Sequence, residues 1–192
     1  MIFLLIDLRK VLKRTKWLGL LLLLALLLTS KWFWRKLYPF PYREMIFKYA
    51  QEYEVDPYLV AAIIREESHF VEEAESYRGA RGIMQIMPET GKWAAEQMNL
   101  EGFQPDDLYD PKINIKIGCW YLADLSKEFG NDKILMIAAY NAGRGNVKQW
   151  IQTRQWSGRH ETVEDIPFPE TREYVKRVLK GYEKYRWIYG EG

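Results

Sequence analysis

Apolar positions recur at helical spacing along most of this chain, and the strict alternation of a half-buried strand is scarce. Met45, Tyr49 and Tyr53 predict a short helix over Glu44–Tyr53. Asp56-Pro57, an N-cap followed by proline at the first helical position, opens a second helix that runs to Ser68. A loop follows from His69 to Gly82, with a small hairpin possible near Gly82 to Met87. Pro88 starts the next helix, through about Met98. Asp110-Pro111 repeats the cap-and-proline start and leads a long helix to about Phe129, stopped by Gly130. Ile134 to Tyr140 reads as another, broken by Gly143 and Gly145 before a short helix around Val147 to Ile151. Gln152 to Asp165 is polar and irregular. The last helix, about Glu170 to Tyr189, carries Tyr174, Val178, Tyr182 and Tyr185 on one side. The predicted fold class is mostly α.

The N-terminal pattern differs. Arg9, Lys10, Lys13, Arg14 and Lys16 precede Trp17 to Ser30, which has no charge and is mostly leucine. Fourteen residues are short for a span of about 20, but Lys31 can snorkel, and Trp32, Phe33 and Trp34 suit the interface. The expected organisation is a basic cytoplasmic segment over 1–16, a transmembrane anchor over 17–34, an aromatic linker over 35–43 and one globular domain over 44–192. The rival for the anchor is a cleavable signal sequence, giving a secreted form. The exit Thr29-Ser30-Lys31-Trp32 offers no small-x-small cleavage site, which favours an uncleaved, single-pass helix with the domain outside the membrane.

Charge sharpens this division. Residues 1–36 hold eight Lys/Arg against one acid, whereas residues 37–192 hold 20 against 25. The folded part is mildly acidic, so nucleic acid is not an expected partner. The single cysteine, Cys119, sits in an apolar run and reads as core packing. His69 and His160 are the only histidines and share no helical pairing, so no metal site is expected.

One acid stands out. Leu59, Val60, Ile63 and Ile64 form an apolar helix face, and Glu67 falls near its middle at about 100° per residue. Burial favours the neutral carboxyl, the state a general acid needs near neutral pH, and an ionised Glu66 would push the same way. The plainer alternative is a helix-end glutamate turned to solvent.

The residues around it resemble a known family. Glu67-Ser68 with Phe70, then Ser76-x-x-Gly79-Ala80-x-Gly82-Ile83-Met84-Gln85-Ile86-Met87-Pro88-x-Thr90, is similar to the catalytic signature of lytic murein transglycosylases of the soluble-transglycosylase (SLT) type. Ala138-Ala139-Tyr140-Asn141-Ala142-Gly143 resembles the second motif of that family and Ile166 to Val175 its third, in the same order. The resemblance implies a lysozyme-like helical domain. It also implies cleavage of the bond between N-acetylmuramic acid and N-acetylglucosamine in peptidoglycan, closing a 1,6-anhydro ring without water and without a cofactor. On that basis Glu67 is the expected catalytic acid and then base. Ser76, Met84, Gln85, Tyr140, Asn141, Glu170 and Tyr174 are the expected substrate-binding residues, and peptidoglycan glycan strands and the membrane are the expected partners. The chain departs from the pattern at Val71-Glu72-Glu73, where the family often has Asn-Pro, and at Arg144, where it often has proline. Two rivals remain open: a lysozyme-type muramidase, and a non-catalytic peptidoglycan-binding module.

Overall fold

The computed structural model describes residues 8–190, so the first seven residues of the expected basic segment lie outside it. The chain divides into two units, residues up to Pro39 and residues from Phe40 onward, a boundary inside the expected linker.

The first unit holds α1 (Leu8–Thr29) and α2 (Lys31–Leu37). Leu18 and Leu20 to Leu24 of α1 are exposed. The expected single helix over 17–34 is corrected here. Ser30 is extended (φ −77°, ψ 121°) and separates the two helices. Among the described residues no helix is long and apolar enough to cross a membrane. At about 1.5 Å per residue, the uncharged run covers roughly 21 Å of a hydrocarbon core about 30 Å thick. The extension needed to close that gap lies beyond the break, in a helix carrying Lys31, Arg35 and Lys36.

The second unit contains α3 (Arg43–Glu52), α4 (Pro57–Ser68), α5 (Pro88–Gln97), α6 (Pro111–Glu128), α7 (Lys133–Ala142), α8 (Arg144–Gln152) and α9 (Pro169–Tyr189). Short 3-10 turns at Pro105–Tyr109 and His160–Asp165 lie within stretches that show no helical period in sequence. Asp56, Asp110 and Asp132 cap their helices by accepting from the backbone N–H of Tyr58, Lys112 and Ile134. Phe40 packs 5.2 Å from the rings of both Tyr185 and Tyr189, so the end of the expected linker belongs to the globular unit.

α4 and α9 form its centre. Leu59 to Ile64 are buried on α4, and Tyr174, Val178, Tyr182 and Tyr185 on α9, the stripe the sequence pattern predicts. Tyr174 pairs with Glu67, Gly181 faces Ala62, and Tyr182 donates to Asp56 at 2.6 Å. Rising numbers on α9 meet falling numbers on α4, so the two helices are antiparallel.

The loop between α4 and α5 is held without a sheet. Isolated bridges join Arg81 to both Glu75 and Ile86, which is all that forms of the possible hairpin. Its anchor is Asn114 on α6, fully buried. The Asn114 Oδ1 accepts from the Met84 N–H at 2.9 Å, and its Nδ2 donates to the carbonyls of Arg81 (2.9 Å) and Leu108 (2.7 Å). Asn114→Ala strands the Met84 N–H and the Leu108 carbonyl, while the Arg81 carbonyl keeps the Ile86 N–H, and should cost about 2 kcal/mol or more in urea unfolding. A loss under 1 kcal/mol would mean the loop is held elsewhere.

Candidate active site

Glu67 is the penultimate residue of α4, which stops because His69 and Phe70 take left-handed conformations (φ 52° and 67°). This turns the chain sharply away and leaves the carboxyl over a cleft of about 400 Å³. Glu67 is partly buried, and the Tyr174 hydroxyl donates to its Oε1 at 2.6 Å. Burial pushes its carboxyl from 4.5 up to about 7, the Tyr174 hydrogen bond pulls it back, and Glu66 and Glu170 add to the rise. Glu66 itself is paired with Arg177 of α9.

Ser76, Gln85, Tyr140, Asn141 and Glu170 line the same cleft, so residues far apart in sequence converge on the acid. Each polar group has a defined remaining capacity. Ser76 Oγ accepts from the Ala80 N–H at 2.9 Å, which leaves its proton to offer. The amide nitrogen of Gln85 donates to the carbonyls of Ala74 and Gly82, both at 2.9 Å, leaving its oxygen as an acceptor. Asn141 Oδ1 accepts from the buried Thr171 hydroxyl at 2.7 Å, which leaves its amide nitrogen to donate. The cleft thus sets one amide acceptor and one amide donor around a carboxyl that is half protonated near pH 7. Glu170 stands in the first turn of α9 and is exposed.

Two of the expected residues sit elsewhere. Met84 is fully buried with its sulfur against Gly118, and only its carbonyl points toward the site, accepting from the Tyr140 hydroxyl at 2.8 Å. Tyr174 is buried behind Glu67 and does not line the cleft. Ser68 donates to the Ile83 carbonyl at 2.8 Å and so ties the helix end to the loop. Conversely, Tyr77, Arg78, Ala80 and Met87 line the cleft although none is among the expected substrate-binding residues. Ala80 and Met87 belong to the motif itself, whereas Tyr77 and Arg78 fill its two open positions between Ser76 and Gly79.

The two departures have local explanations. Glu72 accepts from the Tyr42 hydroxyl and Glu75 from Tyr109 at 2.9 Å, so the loop is tied at both sides. Arg144 is paired with Asp124 (2.6 Å) and Glu128 (2.7 Å).

Comparison with known proteins agrees with this arrangement. The Transglycosylase SLT domain family matches residues 44–163. The soluble lytic murein transglycosylase of Escherichia coli K12 is 39% identical over 158 residues, which is 80% of this chain and 24% of that protein. Membrane-bound lytic murein transglycosylase C of Actinobacillus pleuropneumoniae is 32% identical over 169 residues, covering 77% of this chain and 46% of that protein. The crystal structure of the 70 kDa soluble lytic transglycosylase of Escherichia coli superposes with a TM-score of 0.76 at 36% identity, over 83% of this chain and 26% of that one. The chain thus spans about a quarter of the length of the soluble relative. With the matched region holding Glu67, the loop that shapes its cleft and the Tyr140-Asn141 pair, the chain belongs to the Transglycosylase SLT domain family.

Proposed function

We propose that this chain is a peptidoglycan lytic transglycosylase, cleaving the β-1,4 bond between N-acetylmuramic acid and N-acetylglucosamine. The observation that carries the reading is Glu67, a carboxyl held near neutrality inside a cleft of amide donors and acceptors. The protonated acid gives its proton to the glycosidic oxygen as the bond to the muramyl C1 breaks. The resulting carboxylate takes the proton of the C6 hydroxyl of the same sugar, whose oxygen bonds to C1. The acid is restored, no water is consumed, and the nucleophile is already tethered, which supplies a large effective molarity. Asn141 and Gln85 suit the carbonyl and the N–H of an N-acetyl group. Relatives named as lytic murein transglycosylases support the same assignment.

Because the first step needs the protonated acid, turnover should fall as pH rises through about 7. The test is the clearing of purified sacculi by the full chain across pH 5 to 9; a rate still rising at pH 9 would contradict the role of Glu67. Tyr174→Phe removes the hydrogen bond that lowers the Glu67 pKa, so the fall should move to higher pH while the rate at its optimum drops about tenfold. An unmoved pH limb would reduce Tyr174 to packing.

A hydrolytic alternative has one observation in its favour: Glu170 places a second carboxylate on the cleft, as a muramidase requires. A hydrolase would lose turnover in Glu170→Gln, whereas the non-hydrolytic reaction keeps its product.

The substrate places the action on the outer side of the cytoplasmic membrane. The exposed leucines of α1 support attachment to the bilayer there, and one relative is named membrane-bound. Co-sedimentation of the full chain with membranes tests this.

A further inference from the structure

The helix α2 (Lys31–Leu37) holds three aromatic residues and a leucine in its seven positions, and none of them is buried. Trp32 keeps 63% of its area exposed and Leu37 46%. Aromatic surface left bare in this way marks a place that something outside the chain covers. At about 100° per residue, Phe33, Trp34 and Leu37 fall within one arc of roughly 100°. Phe33 and Trp34 meet edge to face there, with ring centres 5.8 Å apart. Lys31, Arg35 and Lys36 take the rest of the circumference together with Trp32, whose ring centre lies 5.2 Å from the Lys36 ammonium. The helix is therefore amphipathic, with an aromatic side and a cationic side. Ser30 interrupts the helix between α1 and α2, so the aromatic side need not follow the leucines of α1.

Charge selects what covers it. From residue 8 to residue 43 the sequence holds nine Lys/Arg and no Asp/Glu, so the complementary surface is anionic. An acidic protein would match the charge alone. Tryptophan beside lysine, directly after a leucine helix, matches the boundary layer of a bilayer more fully. There indole rings sit at headgroup level, and lysine and arginine reach the lipid phosphates while their stems stay in the apolar layer.

Resting on the bilayer attachment proposed above, we infer that α2 is an interfacial helix that lies in the headgroup layer and binds anionic phospholipid through Lys31, Arg35 and Lys36. Its aromatic side faces the acyl chains. The cationic side distinguishes one lipid surface from another by charge, whereas the leucines of α1 respond only to the apolar interior.

The test offers the full chain two vesicle populations together, one of phosphatidylcholine and one of phosphatidylcholine mixed with phosphatidylglycerol. The protein bound to each is measured after separation. Partition should favour the phosphatidylglycerol vesicles, and less so at high salt. Lys31→Gln, Arg35→Gln and Lys36→Gln combined should lower the partition ratio about tenfold or more. Lys31→Arg with Lys36→Arg should keep it, and an unchanged urea midpoint is the control for folding. A ratio unaltered by the triple glutamine change overturns the proposal and assigns lipid selection to the basic residues before Trp17. Equal partition of the wild-type chain overturns it as well and leaves the cationic side to an acidic protein. Both results leave bilayer attachment standing. Binding to neither population overturns the attachment reading and the role of α2 with it.

Discussion

Glu67→Gln is expected to lower turnover on sacculi by about a thousandfold or more, since it removes both proton transfers, while sacculus binding persists. The same substitution should stabilise the fold at neutral pH. The carboxyl ionises at about 7 in the folded chain against an ordinary 4.5. Between those values the unfolded chain releases the proton while the folded chain keeps it, so wild-type stability falls as pH rises through that window. Burial of the acid is harmless below pH 4.5 and its cost is complete above about pH 7. The variant should therefore exceed wild type by on the order of 2 kcal/mol at pH 8 and match it at pH 4. Urea unfolding at the two pH values reads the difference. Equal stability at pH 8 would mean that the carboxyl is hydrated like any surface acid.

Gly82→Ala is expected to be the most destabilising single methyl in the molecule, at about 3 to 5 kcal/mol. Gly82 has φ +73°, and a Cβ there would lie well inside contact distance of the Leu108 carbonyl and the Asn114 amide. Neither can retreat, because each is bonded to the other in the knot that holds the loop. Gly79 is the comparison: it also has positive φ (+82°), but nothing stands within 4 Å of its Cβ position. Gly79→Ala should cost only about 1 kcal/mol, the conformational part alone. Similar losses for the two variants in urea unfolding would contradict the steric account.

Much of this was legible in the sequence because it depends on local signals. The Asp-Pro starts of α4 and α6 are caps in fact, and the tyrosine stripe of α9 faces α4 as its spacing requires. Glu67 reads from the apolar face behind it. What the sequence hides is long-range. Asn114 looks like any polar residue in a helix, yet it fixes where Arg81 to Met84 run, and hence that Tyr77 and Arg78 reach the cleft. Met84 and Gln85 are adjacent motif residues, but the left-handed Gln85 (φ 49°) and the space above Gly118 send one side chain to the cleft and the other to the core. Tyr174 matches a motif position without revealing that its partner would be Glu67. At the N-terminus the leucine run was plain, while the break at Ser30, a matter of two backbone angles, was not.

The central claim is that the muramyl C6 hydroxyl, and not water, reaches the anomeric carbon. The full chain incubated with purified sacculi releases muropeptides that can be weighed without prior reduction. The account predicts products lighter by one water than hydrolytic fragments and inert to borohydride, the mark of a 1,6-anhydro ring. Products with free reducing ends would contradict it and make Glu67 and Glu170 the two carboxylates of a hydrolase.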